Sequence, residues 1–294
     1  LSLYRVPSIL LEQQTVASKF RHPQAHFLNT RTMEILQHWM PETYDQVRKA
    51  MPPVEHWNTF RFTHDMTAEP LAQVVHPVDR PLQAEVDANG VLQSDLKAFQ
   101  EVHALSPCSV GHLAQHTFCQ ILYDAAVKNA VDGTQLLYGT SVTRVGRPRD
   151  GTEPSNQLVV ETANHGSIAA SVCIAADGAN SMTRQSHGIG MRGQEGLQHL
   201  INIHVTLPPE QARKLHRDNN HAMLYFCLNE AAISTVVCHS VGEYIIQIPY
   251  FPPYQSLEQD FGPDKLPAML QTIFGSSVTE WQVRSVKSWT MSSL

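Results

Sequence analysis

Val6 to Leu11 is a short, mostly apolar run, and Glu12 closes it with an acid. Such a run is too brief for a helix and has the form of a strand covered on both faces. Strands of that kind belong to parallel sheets, whose members are joined by crossovers and flanked by helices. The run therefore predicts an α/β domain and demands an element to cross over from. Nothing precedes it in this sequence except Leu1 to Tyr4, which could end a helix, so the chain opens as though in the middle of a fold. An ordinary edge strand that happens to start the fold is the other reading.

Helices and strands follow in recognisable patterns. Asn29 or Thr30 can cap a helix that carries Met33, Leu36 and Met40 on one face. From Trp57 to Val75 the pattern turns to alternation and aromatics, which predicts β-structure. Leu113 to Val131 has the most regular helical spacing, with Phe118, Ile121, Leu122 and Ala125 on one stripe and Gly133 just past its end. Gln157 to Ala163 and Ile168 to Ala176 predict two strands joined by a turn at Asn164, His165 and Gly166. Beyond residue 195, Ile201, Ile203, Val205 and Leu207 alternate with Asn202, His204 and Thr206. That strand, others near 222–228, 231–238 and 243–250, and a last one at Val283 to Trp289 predict an antiparallel sheet. Leu266 to Phe274 predicts a helix. The expected architecture is an α/β domain interrupted by β-rich insertions, with residues 1–58 and 101–189 in the first and 59–100 and 190–294 in the second.

Composition excludes several classes. The formal net charge is -6 and no Lys/Arg-rich run occurs, which argues against nucleic acid as a partner. No apolar run approaches the roughly 18 residues that span a bilayer. The five Cys, at 108, 119, 173, 227 and 238, are odd in number and lack CxxC spacing, so neither a disulfide framework nor a zinc site is expected and a reducing, cytoplasmic compartment is. Sixteen His are many, but they are scattered along the chain, and surface or core positions are the simplest reading. No metal site is expected.

Two glycine-bearing segments could carry chemistry. Gly188, Gly190 and Gly193 in GIGMRG match the dinucleotide fingerprint formally. That fingerprint works only when a strand precedes it and a helix follows, so that backbone N–H groups face a pyrophosphate. Polar sequence on both sides denies it that context, and it reads as a false match. Upstream, Val172 to Ala176 reads as a small-residue strand running into Asp177-Gly178. An acid and a glycine at the carboxyl end of a parallel strand lie where open α/β sheets bind ligands. Asp177 could accept from a ribose or ribityl hydroxyl, and Arg184 could bind an anion or cap a helix. A plain strand-to-helix turn is the alternative.

The stretch ADGANSMTR, residues 176–184, resembles the Asp-Gly motif of class A FAD-dependent aromatic hydroxylases, which serves both FAD and NAD(P)H. Leu10-Leu11-Glu12 resembles the second strand of that family, whose terminal acid binds the adenosine ribose. HPQAHFLNTRTMEI, residues 22–35, resembles its flavin-contacting loop and helix, with Arg31 in the contacting position. Gln115 matches the glutamine that opens the long helix beside the flavin, and VKSWTMS, residues 286–292, resembles the approach to the last motif. The resemblance covers nearly the whole chain and is closest to the phenol-hydroxylase-like branch. It implies a Rossmann-like FAD-binding domain of glutathione-reductase type, incomplete here, interleaved with a β-rich substrate domain. It implies FAD and NAD(P)H as cofactors, with Glu12, Arg31, Gln115 and Asp177 as cofactor-binding residues. A small aromatic substrate and O₂ would be the partners, and a homodimer stays open.

The departures are equally specific. The family's strand–GxGxxG–helix unit would lie before Leu1, and its Gly-Asp motif would follow Trp289 beyond Leu294. On that basis the chain by itself is expected to bind FAD weakly or not at all, since the missing unit supplies backbone donors to the pyrophosphate. An intact relative hydroxylates an electron-rich ring through a flavin hydroperoxide, while protein groups orient the flavin and exclude water. Where relatives often place an Asp to deprotonate the substrate, this chain offers His26, so the catalytic base is unassigned. An inactive remnant of such a flavoprotein, and a ubiquinone-biosynthesis-type hydroxylase of the same fold, are the competing readings.

Overall fold

The computed structural model describes residues 1–21, 23–75, 105–148, 157–217, 220–230 and 232–293. The elements, in chain order, are β1 (Ile9–Glu12), α1 (Val16–Lys19), β2 (Phe27–Leu28), α2 (Thr30–Trp39), α3 (Pro41–Ala50), β3 (Thr59–Thr63) and β4 (Ala72–Val75). Then come β5 (Gly111–His112), α4 (Gln115–Lys128), β6 (Gln135–Tyr138), β7 (Val142–Gly146), β8 (Leu158–Thr162), β9 (Ser167–Ala170) and α5 (Met182–Ser186). The remainder holds β10 (Gln194–Thr206), α6 (Pro209–Leu215), β11 (Leu224–Leu228), β12 (Ile233–Ser240), β13 (Glu243–Tyr250), α7 (Leu257–Asp260), α8 (Leu266–Phe274) and β14 (Gln282–Ser293). The expected β-rich segment at 59–100 lies outside the described residues beyond Val75. The chain divides into two compact units, residues 1–22 with 122–194, and residues 23–121 with 195–293. Among the described residues, 23–58 and 105–121 group with the large sheet by compactness.

In the first unit β1 pairs with β6 in parallel, Glu12 opposite Tyr138. The parallel direction agrees with the apolar run, but the expected burial does not hold, because Ile9 and Leu10 remain exposed. A parallel strand is covered only when it has a neighbour on each side and helices on both faces. Among the described residues, β6 is the one partner of β1. Behind this pair Phe20, Tyr123 and Tyr138 form an aromatic cluster with ring centroids 5.4 to 6.0 Å apart. Strands β7, β8 and β9 make an antiparallel meander. Its second turn falls where Asn164, His165 and Gly166 place it: Gly166 takes a positive φ of 67°, and its carbonyl accepts from the Thr162 N–H at 2.9 Å.

The second predicted strand is shorter than its sequence suggests. β9 stops at Ala170, and Val172 to Ala176 belongs to no strand. Val172 and Ile174 are each 74% exposed. An apolar, β-branched segment has strand propensity, but a strand exists only where a neighbour completes its hydrogen-bond ladder, and none pairs with it among the described residues. The expectation of a strand running into Asp177-Gly178 is therefore not met.

The second unit is organised by a sheet in the order β14-β10-β13-β12-β11-β3-β4. β10, β13, β12 and β11 are antiparallel to one another, while β3 joins β11 in parallel. Alternation separates the two faces. Ile201, Ile203 and Val205 of β10, Tyr225 and Cys227 of β11, Val236 and Cys238 of β12, and Tyr244, Ile246 and Ile248 of β13 point into one core. Ala212 and Leu215 of α6 and Leu266, Leu270, Ile273 and Phe274 of α8 belong to the same core. The opposite face carries His204, Glu243, Gln247 and Thr235 among apolar neighbours. Asn29 caps α2 by accepting the Thr32 N–H on its Oδ1 at 2.8 Å, and α2 buries Met33 and Leu36 as their spacing predicts.

Leu270 is fully buried, so Leu270→Ala should cost about 2–5 kcal/mol through lost burial and the cavity left behind. Val172→Ser, at an exposed position outside any strand, should stay within about 0.5 kcal/mol of wild type. Urea denaturation of both variants checks this; equal midpoints would contradict the assigned core.

Candidate functional site

β1 delivers Glu12 to its carboxyl end, where open α/β sheets present side chains to ligands. The Gln14 N–H donates to its Oε1 at 2.9 Å, and Lys19 Nζ, from α1, lies 2.9 Å from its Oε2. Partial burial works to raise the carboxyl pKa, but the Gln14 hydrogen bond and the Lys19 ammonium outweigh it and hold it below the usual range. A carboxylate has about four acceptor positions, so Glu12 keeps capacity to accept from a hydroxyl as well.

Asp177 sits in the same unit, in the turn before α5. Its Oδ1 accepts from the Ser181 hydroxyl and its Oδ2 from the Thr183 N–H at 3.0 Å. Ser181 in turn caps α5, accepting the Arg184 N–H at 2.9 Å. These hydrogen bonds, that of Ser181 first, bring the Asp177 carboxyl down to about 2. Gly178 adopts a positive φ of 79°, and a Cβ there would meet nothing within 4 Å, which leaves the backbone open to close approach. Arg184 ties together the chain on either side of α5. Its guanidinium donates to the Ile189 carbonyl at 2.8 Å and the Ala179 carbonyl at 3.2 Å, clamping the loop on both sides of α5.

The glycines of GIGMRG lie between helix α5 and strand β10. That order is the reverse of the strand-before, helix-after arrangement of a pyrophosphate site, so the sequence argument against the motif agrees with the structure.

In the second unit Arg31 projects from the first turn of α2, 79% exposed along its side chain, and pairs with Glu34 at 3.1 Å. Such an exposed pair contributes only a few tenths of a kcal/mol and is readily given up. Gln115 opens α4 and ties it to the loop before β2. Its Oε1 accepts the Ala25 N–H at 3.1 Å, and its own N–H donates to the Ala25 carbonyl at 2.8 Å. Its amide NH₂ has no partner among the described residues. The structure thus places Glu12 and Asp177 in one unit and Arg31 and Gln115 in the other.

A constellation that sequence reasoning missed lies wholly within the second unit. His26, His112 and His239 come together from the loop before β2, from β5 and from β12. The Nδ1 atoms of His26 and His112 are 3.1 Å apart, and the His239 ring meets the His26 ring edge to face at 5.5 Å. Nearby, Glu243 accepts from His204 at 3.0 Å and lies 3.8 Å from His116. Burial, then the neighbouring His112, lowers His26 to about 4; burial lowers His112 to about 4 and, with the surrounding imidazoles, His239 to about 2. Burial alone would raise the Glu243 carboxyl, but His204, His116 and Arg284 bring it down on balance. Trp57 stacks on His112 at 5.6 Å and with Met33, Tyr44, Arg48 and Val110 lines a cavity of about 120 Å³. No His, Cys, Asp and Glu group among the described residues has the arrangement of a metal site. The rings come from separate elements far apart in sequence, so only the strand alternation that sets His204 opposite Ile203 and Val205 hinted at them.

A family model described as FAD binding domain matches residues 1–294. A search among curated protein sequences finds no match. Solved structures are similar in fold. The flavin-dependent monooxygenase PieE, in complex with FAD and substrate, is 19% identical with a TM-score of 0.74 over 100% of this chain and 47% of its own. Aklavinone-11 hydroxylase, in a ternary complex with FAD and aklavinone, is 19% identical with a TM-score of 0.76 over 99% of this chain and 50% of its own. The p-nitrophenol 4-monooxygenase PnpA from Pseudomonas putida DLL-E4 is 16% identical with a TM-score of 0.69, over 99% of this chain and 63% of its own. The chain therefore spans about half the length of the first two.

The buried imidazoles set a pH dependence. With folded-state values near 4 and an ordinary value of 6.5, His26 and His112 stay neutral in the folded chain while the unfolded chain takes up protons. Their contribution is complete above about pH 6.5, falls as the pH drops towards 4, and levels off once the folded rings also protonate. Urea midpoints should decline from pH 7 to pH 5, and less steeply in His112→Phe. A pH-independent difference between the two proteins would contradict this.

Proposed function

Since the chain belongs to the FAD binding domain family, we propose that it is part of a flavin-dependent monooxygenase that hydroxylates a phenol-like aromatic substrate, with FAD as cofactor, NAD(P)H as reductant and O₂ as co-substrate. The observation that carries this reading is Glu12, held ionised at the carboxyl end of a parallel strand with acceptor positions to spare. The names of the similar solved proteins, which include a flavin-dependent monooxygenase and a p-nitrophenol monooxygenase, support the reaction class.

On this reading Glu12 accepts a ribose hydroxyl with the acceptor capacity that Gln14 and Lys19 leave. Asp177 orders the turn through Ser181 and Thr183, and the open space beside Gly178 lets cofactor approach the backbone. Arg31 exchanges its weak surface pairing with Glu34 for the flavin, and Gln115 offers its NH₂ while its carbonyl stays bound to Ala25. The flavin, when bound, supplies the redox chemistry and the activation of O₂. Protein groups bind and orient it and keep water away. Residues 1–58 and 101–189 would then contribute cofactor contacts, and 59–100 and 190–294 the substrate-covering sheet.

Incubating the native full-length protein with NADH or NADPH, O₂ and a panel of phenols should give a product heavier by one oxygen in mass spectrometry. Reductant consumption without any oxygenated product would sink the activity. Glu12→Ala and Arg31→Ala should each weaken FAD binding roughly 10- to 150-fold, as expected for losing a hydrogen bond to a charged group. Gly190→Ala, whose added methyl meets nothing within 4 Å, should bind FAD as wild type does. Fluorescence titration distinguishes these; flavin release by Gly190→Ala alone would reverse the assignment.

A further inference from the structure

His239 is 2% exposed, and neither of its ring nitrogens has a hydrogen-bond partner among the described residues. Buried polar atoms in native proteins are nearly always paired, so such a ring points to a missing partner. The backbone aims it. The β12–β13 register shifts between Cys238 and Ser240, which makes His239 the extra residue of a bulge. Bulges re-aim side chains, and here the ring lies edge to face against His26.

The proton inventory of the cluster defines what can complete it. A neutral imidazole carries one N–H donor and one acceptor. His26 and His112 share one hydrogen bond between their Nδ1 atoms, so whichever ring donates keeps its Nε2 as an acceptor. His239 adds one free donor and one free acceptor. A carboxylate only accepts and an ammonium only donates, whereas a hydroxyl does both. Charged ligands meet further opposition. His116 from α4, His204 from β10, Glu243 from β13 and Arg284 from β14 surround this end of the sheet, and Glu243 is already ionised. Flat apolar surface is at hand in Trp57, stacked on His112.

We propose that His239, with His26 and His112, forms a binding site for the hydroxyl of a neutral phenol-like aromatic molecule. The proposal rests on the aromatic-substrate reading above and names the residues that hold the substrate's hydroxyl. His239 accepts the hydroxyl proton in a hydrogen bond, and an imidazole N–H donates to the hydroxyl oxygen. The half-buried His26 lies on the open side, and the buried His112 and His239 form the floor.

The test is a titration of the native full-length protein with 4-nitrophenol, whose absorption separates bound phenol from bound phenolate, alongside nitrobenzene, which lacks the hydroxyl. Wild type should bind 4-nitrophenol in its neutral form and more tightly than nitrobenzene. His239→Phe should weaken 4-nitrophenol roughly five- to tenfold, the effect of one neutral hydrogen bond, and leave nitrobenzene unchanged. His239→Gln, which keeps a donor and an acceptor, should restore part of the loss, with folding of both variants checked by circular dichroism. Equal binding by wild type and His239→Phe, binding as phenolate, or no 4-nitrophenol binding at all would overturn the site. So would stoichiometric zinc in wild type that His239→Phe loses. Flavin content is measured on the same samples. Flavin-free protein that binds 4-nitrophenol through His239 keeps the site and removes the cofactor reading, whereas flavin-loaded protein indifferent to His239 does the reverse.

Discussion

The antiparallel ladder of β10, β13 and β12 is the constraint on which the second unit depends. Its register pairs Ile203 with Ile246 and Val236 with Ile246 across the sheet, so one face is predominantly apolar and packs with α6 and α8. Because side chains alternate with a period of two, a single-residue slip would exchange the two faces and bring His204 and Glu243 into that core. Hydrophobic burial on one face therefore locks the position of polar groups on the other. The bulge at His239 is a local break in that rule, and it falls where the imidazoles gather.

Several side chains that look like ligand contacts in sequence are occupied in holding backbone. Asp177 and Ser181 start α5, Arg184 clamps the carbonyls of Ala179 and Ile189, and Gln115 fastens the loop at Ala25. Loops carry backbone N–H and C=O groups that no ladder satisfies, and nearby polar side chains are the cheapest partners. Structural and ligand roles are compatible where acceptor capacity remains, as at Glu12, or where the existing bond is weak, as at Arg31. Arg184 is different: two of its guanidinium nitrogens are already engaged with main-chain oxygen.

Dense histidine does not by itself imply charge or metal. Bringing several imidazoles together out of water penalises each protonated form, both by desolvation and by repulsion between rings. His26, His112 and His239 are accordingly neutral hydrogen-bonding groups at ordinary pH, and the ionised Glu243 near them is matched to His204 and Arg284. Neutrality makes the cluster a donor–acceptor array rather than an anion site.

Local pattern was sufficient for much of the chain. The β10, β12 and β13 strands, the α8 helix, the Asn29 cap, the turn at Gly166 and the parallel direction of β1 all follow from periodicity, capping and glycine conformation, which act within a few residues. The motif resemblance likewise pointed to the FAD binding domain family, since it rests on short segments in order. What local pattern could not supply is partnership between distant segments. Val172 to Ala176 has the composition of a strand yet lacks a ladder, Ile9 and Leu10 have that of a covered strand yet stay exposed, and Arg184 has the look of an anion ligand yet holds carbonyls. His26, His112 and His239 carry no shared signal along the chain. Only the sheet register and the loop closure at Ala25 bring their rings together, because proximity between residues 26, 112 and 239 is a property of the tertiary fold and not of any window of sequence.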